Sequence, residues 1–286
     1  MIEKRRWKKV FKKFLGSGVL LLGLMLLLSA CGQQKPANSD SGQTKVAADL
    51  SVYKNGDVFI TPQELQKKLG DKSAILVDTN KPDVYEKGHI PGAIGIGWHG
   101  LSKIVGKPGD PLWGTTLDKE ELTKKLESYG VTNSTLVVFT SNLLPGPGSD
   151  GRSVWQLRMA GLDNVKLLYG GNPYWKELGF EMTKEAPPKP FSVTGLTLKE
   201  FDKSYSADKA YIYANLGKTV IIDVRTEKEY KGSQDSGEAR GGHIQGAKHL
   251  VWSSLLNENG TPKSPEVIIK MMADLGVTPQ DDFVVY

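Results

Sequence analysis

Two stretches of this chain repeat one another, and that duplication limits the possible folds more than any single motif. Ala74-Ile-Leu-Val-Asp78, a short apolar run ending in a carboxylate, returns as Thr219-Val-Ile-Ile-Asp223. Gly88-His89-Ile90-Pro91-Gly92-Ala93 returns as Gly242-His243-Ile244-Gln245-Gly246-Ala247, and Trp98 returns as Trp252 at the same offset. Farther on, Leu122–Phe139 pairs with Ile269–Tyr286, which sets Tyr286 against Phe139. The spacing between copies drifts because the second carries an insertion, Gly232–Gly241, and the first a longer segment around Gly106–Trp113. The repeating unit is far larger than the roughly 20–50 residues of a solenoid repeat, so this is a duplicated domain.

Within each copy, strand signals alternate with helix signals. Thr61 is placed to cap a helix over Pro62–Leu69, with Pro62 at its first position and Glu64 at its third. Leu122, Leu126 and Tyr129 fall on one face of a helix over Lys119–Tyr129 that Gly130 closes. Ile75–Val77, Leu136–Phe139 and Val165–Leu168 read as buried strands, and Ser153–Ala160 and Pro173–Leu178 as helices. Such alternation predicts an α/β fold, each domain a mainly parallel sheet flanked by helices. The expected organisation is a leader over 1–30, a flexible tether over 31–51 and a first domain over 52–184. A linker over 185–194, stiffened by Pro187, Pro188 and Pro190, then leads to a second domain over 195–286.

The formal charge of +5 is concentrated at one end. Lys4, Arg5, Arg6, Lys8, Lys9, Lys12 and Lys13 stand in the leader against Glu3 alone, and the rest of the chain is close to neutral. A nucleic-acid partner needs a concentrated positive surface on the folded part, so none is expected. The cationic stretch precedes an apolar run, Leu15–Leu28, too short to span a bilayer comfortably but suited to a signal peptide. Leu28-Ser29-Ala30-Cys31 resembles the bacterial lipobox, which implies acylation of Cys31 and attachment to the outer face of the bacterial cell membrane. Cys31 is the one cysteine of the chain, so no intramolecular disulfide forms.

The repeated elements resemble the rhodanese family in its tandem form, the thiosulfate and 3-mercaptopyruvate sulfurtransferases. The second copy carries the resemblance in Asp223-Val-Arg225, Glu229-Tyr230, Gly242–Ala247 and Phe283–Tyr286; the first carries it in Gly88–Ala93, Arg152-Ser-Val-Trp155 and Tyr169–Trp175. In that family a cysteine follows the strand that matches Phe283–Tyr286. Its thiolate takes sulfur from thiosulfate or a similar donor as a persulfide and passes it to a thiol or other nucleophilic acceptor. The resemblance therefore implies a nucleophile at the position after Tyr286. It also implies a second domain that is incomplete, truncated before the catalytic loop. On the same alignment the first copy has Thr140 at the nucleophile's place with no base beside it, which makes that copy silent.

Asp223, Arg225, Arg240 and His243 are the residues expected to bind small sulfur-containing anions. Asp223 and Arg225 stand at a strand's carboxyl end, where open α/β sheets bind ligands. Each also has a plain structural role available: Asp223 with Arg225 as an ion pair, and His89 and His243 as fixtures of a turn. Glu229 departs from members that carry arginine there, which leaves the anion-binding set incomplete. The four histidines are dispersed, so neither a metal site nor a cofactor is expected. Two alternatives stand beside sulfur transfer: a silent rhodanese-fold module for binding or regulation at the cell surface, and a phosphatase or arsenate-reductase relative.

Overall fold

In the first copy the strands are β1 (Phe59–Ile60), β2 (Ala74–Asp78), β3 (Ile94–Gly95), β4 (Ser102–Lys103), β5 (Thr115–Thr116), β6 (Leu136–Thr140) and β7 (Val165–Leu168). The helices are α1 (Pro62–Gly70), α2 (Pro82–Tyr85), α3 (Lys119–Ser128), α4 (Ser149–Met159) and α5 (Gly171–Glu177). This is a computed structural model that describes residues 47–187 and 189–286, so the leader and Cys31 lie outside the described residues.

Five strands form one parallel sheet in the order β1-β7-β6-β2-β3, while β4 and β5 make a separate antiparallel pair. Successive residues of β6 face opposite sides. Val137 and Phe139 join a core with Leu122, Leu126, Val154 and Leu157, whereas Val138 joins Ile60, Leu65, Leu76 and Trp175 on the other face. A parallel sheet covered by helices on both faces is the arrangement such uninterrupted apolar strands require.

The helix starts are set by local chemistry. Thr61 accepts the Glu64 N–H at 3.2 Å, and Asp118 with Glu121 forms a reciprocal capping box on α3. Two helices begin earlier than the apolar pattern predicts. α4 starts at Ser149 instead of Ser153, where the Asp150 carboxylate takes the Gly151 N–H inside the first turn. α5 starts at Gly171 instead of Pro173, because Gly170 and Gly171 both take left-handed conformations (φ 76° and 58°) between β7 and the helix.

The second copy contributes α6 (Lys209–Ala214), β8 (Val220–Asp223), α7 (Glu227–Tyr230), β9 (Lys248–His249), α8 (Pro265–Asp274) and β10 (Phe283–Val285). Its sheet runs β10-β8-β9, all parallel, the order that β6-β2-β3 has in the first copy. Among the described residues β10 has no further strand on its outer edge, and Phe283 and Val285 are exposed. Leu196 and Leu198, at the start of the second copy's sequence, are buried in the first copy's core.

Candidate active site

The strand ladders decide which residues of the two copies correspond. In the first copy Val77 lies opposite Phe139 and Asp78 opposite Thr140. In the second, Ile222 lies opposite Val285, which sets Asp223 beside Tyr286. The backbone bonds agree: Thr79 N donates to Thr140 O and Val224 N donates to Tyr286 O, each at 3.0 Å. Tyr286 therefore matches Thr140, and the position after Tyr286 matches Ser141. The sequence alignment was off by one residue, having paired Tyr286 with Phe139 and the nucleophile with Thr140. Two aromatic residues invite that pairing, but the ladder and the alternation of faces forbid it.

Arg225 grips Asp223 with two bonds, Nε to Oδ1 at 3.0 Å and Nη2 to Oδ2 at 2.6 Å, and also donates to Gly242 O at 2.8 Å. The Arg225 N–H adds a third bond to Asp223 Oδ1. Burial of Asp223 works against ionisation, yet these bonds hold its carboxyl below the usual carboxylate range. The carboxylate in turn raises Arg225. The guanidinium lies 5.2 Å from the centre of the Tyr286 ring, whose hydroxyl accepts the Ile244 N–H at 2.9 Å. Asp223, Arg225, Tyr286 and the Gly242–Ile244 turn thus form one locked group at the carboxyl end of β8 and β10.

The other expected residues join that group unequally. His243 stacks on Tyr230 at 3.8 Å and its Nδ1 meets Tyr230 O at 2.9 Å; His249 stacks on the same tyrosine. His89 does the same on Tyr85 in the first copy, and its Nε2 meets Glu185 O. Arg240 is exposed, with no ion pair among the described residues, two residues upstream of the carbonyl that Arg225 holds. Glu229 closes a capping box with Thr226 on α7, which uses its carboxylate locally.

The first copy keeps the frame with different chemistry. Asp78 accepts the Asn80 N–H and the Asn172 amide, each at 2.8 Å, and with no arginine beside it burial pushes its carboxyl up. Thr140 is fully buried and donates to Asn172. Ser141 accepts the Leu143 N–H at 3.0 Å and donates to Asp150 at 3.1 Å, so a carboxylate does stand beside the first copy's counterpart of the position where a nucleophile is expected. Ser141 and Asp150 are both sealed from solvent, and burial pushes Asp150 up toward its neutral form, a poor base. Asp150 lies within the same segment as Ser141, yet no spacing rule flags it. Only the return of the chain at the start of α4 brings the two together.

The duplicated parallel sheet has counterparts among known proteins. The sequence matches the rhodanese-like domain over residues 61–178 and 206–286. It is 30% identical over 248 residues to the sulfur carrier protein TtuD of Thermus thermophilus, covering 82% of this chain and 83% of that one. It is 27% identical over 240 residues, 80% of this chain and 82% of the other, to a protein of Mycolicibacterium smegmatis provisionally named a thiosulfate sulfurtransferase. Among solved structures, an anaerobic ergothioneine biosynthesis enzyme from Chlorobium limicola superposes with a TM-score of 0.68 at 23% identity. That likeness covers 82% of this chain and 61% of the enzyme. The chain belongs to the rhodanese-like domain family.

Proposed function

We propose that this chain acts as a lipid-anchored sulfurtransferase whose nucleophile is a cysteine at the position after Tyr286. The observation that supports the reading is the register of β10 on β8, which sets Tyr286 beside Asp223 and its Arg225 partner at the sheet's carboxyl edge. The names of the Thermus and Mycolicibacterium relatives support sulfur chemistry of this kind.

The reaction runs in two displacements. The cysteine thiolate attacks the outer sulfur of thiosulfate or a similar donor; an S–S bond forms to the enzyme, the donor's own S–S bond breaks, and sulfite leaves with its electron pair. A thiophilic acceptor then attacks the outer sulfur of the persulfide, takes it, and restores the thiolate. Ser141 illustrates the cradle expected around that sulfur, since it receives a backbone N–H from two residues on. Asp223 holds Arg225 in place. Among the described residues Arg225 Nη1 has no hydrogen-bond acceptor and would meet an anion, while Arg240 and His243 flank the Gly242 turn and would complete the donor's binding. Thiol acceptors and small sulfur anions are the partners, and acyl chains on Cys31 would hold the protein at the outer face of the membrane.

Assay of thiosulfate:cyanide sulfur transfer with the reading frame extended past Tyr286 tests the reading. Transfer abolished by Cys→Ser at the next position supports it; any other residue there, or activity indifferent to that change, overturns it. For the first copy a non-catalytic binding role is favoured, because its serine is sealed and bonded to Asp150.

A further inference from the structure

The two segments in which the copies depart from one another meet in space. The 106–113 segment of the first copy and the 232–241 insertion of the second approach so closely at Gly109 and Gly237 that a side chain on either would strike the other's backbone. A Cβ at Gly237 would lie 2.6 Å from Pro108 O, and both glycines have left-handed φ, 92° and 87°. Beneath this contact is a cavity of about 700 Å³ whose walls include Trp98, His99, Trp113, Ser149, Arg152 and, from the insertion, Ser236.

The lining is selective. His99 packs between two indoles, 4.9 Å from the Trp98 ring and 4.8 Å from the Trp113 ring, and Lys81 covers Trp98 at 4.1 Å. Arg152 is half-buried and donates to Ser102 Oγ and Gly114 O, both neutral acceptors. Among the described residues no carboxylate pairs with it; the nearby lining acid, Asp235, is taken up by Lys228. Burial lowers Arg152, and burial followed by the Arg152 charge lowers His99, so the lining sets the Arg152 cation beside a neutral imidazole, and Lys81 adds a second cation at the Trp98 wall. A half-buried guanidinium without a counter-charge is a ready partner for an anion, which its planar fork can hold through paired hydrogen bonds.

We propose that this cavity binds an organic anion, its carboxylate or sulfonate on Arg152 and its planar body against Trp113, since Lys81 already covers the Trp98 ring. The volume falls in the range of organic-ligand sites, about 300–1,000 Å³, and far exceeds what a bare inorganic anion fills. Aromatic walls favour a flat apolar body by stacking. The site goes beyond the sulfur-transfer reading. It is built mainly by the first copy, and the described residues contain no cysteine. Binding is therefore measurable whether or not sulfur transfer occurs.

The test is titration of the full chain in detergent with benzenesulfonate, and separately with sulfate, followed by calorimetry and tryptophan fluorescence. Saturable one-to-one binding of benzenesulfonate with quenching is expected, with sulfate at least tenfold weaker. Arg152→Gln should weaken benzenesulfonate at least tenfold. Ser236→Phe, on the exposed loop, should block the cavity without touching Arg152, and decides the matter if Arg152→Gln does not fold. Absence of saturable binding, equal affinity for sulfate, or wild-type affinity in either folded variant would overturn the proposal.

Discussion

Asp223 and Asp78 occupy matching positions at the ends of matching strands, yet their neighbours drive their ionisation in opposite directions. Arg225 and its N–H hold Asp223 low, while Asp78, bonded to amides alone, is raised by burial. For Asp223 the folded value lies below the unfolded one, so its contribution to stability is present above about pH 4 and is lost as pH falls through the folded value. Asp78 behaves in reverse: its folded value lies above the unfolded one, so its cost is absent in acid and grows as pH rises through that window. Arg225→Leu leaves a fully buried carboxylate unpaired and should cost about 3 kcal/mol at pH 7. Urea unfolding of wild type and variant should show that gap, and the gap should shrink below about pH 4. Of these residues, Asp223 and Arg225 stood out in the sequence from their place at a strand's carboxyl end, and His243 from the repeated Gly-His-Ile turn. Asp150 and Arg152 were not, because nothing in a linear reading shows which side chains the fold deprives of water.

At the scale of elements, the helix over 119–128 was legible because periodicity and a stop signal agree there. Leu122 and Leu126 mark one buried face and Gly130 closes the helix, while the Asp118–Glu121 capping box emerges only in the structure. Leu126→Ala should cost about 3 kcal/mol by loss of burial and the cavity left behind, while its exposed neighbour Lys125→Ala should stay within about 0.5 kcal/mol. Thermal or chemical denaturation checks both. The early starts of α4 and α5 were not legible, since both begin on polar or glycine-rich sequence whose helical turn is fixed by local bonds. The register of β10 was missed for a related reason. Similar residues suggested one alignment, whereas pairing of Val285 with Ile222 imposes the other. A slip of one residue along a strand exchanges its faces, so the ladder is the stricter witness.

For the whole molecule, duplication predicted two mainly parallel sheets, which share the order β6-β2-β3 and β10-β8-β9, but not how the copies meet. They touch through Tyr53, whose hydroxyl reaches Pro262 O and Lys263 O at 3.2 Å, through Trp252 against Gly148, and through the Gly109–Gly237 approach. Gly109→Val should force those two backbones apart, with a stability loss of roughly 1–3 kcal/mol from the left-handed φ alone. Hydrogen exchange at 232–241 should rise in that variant and stay unchanged in remote β1. The direct test of the central reading is intact and peptide mass measurement of the chain extended past Tyr286, after exposure to thiosulfate. One added sulfur atom is expected on the peptide that contains the position after Tyr286, removed again by cyanide. A peptide that gains no sulfur, or a position occupied by anything but cysteine, would contradict the account.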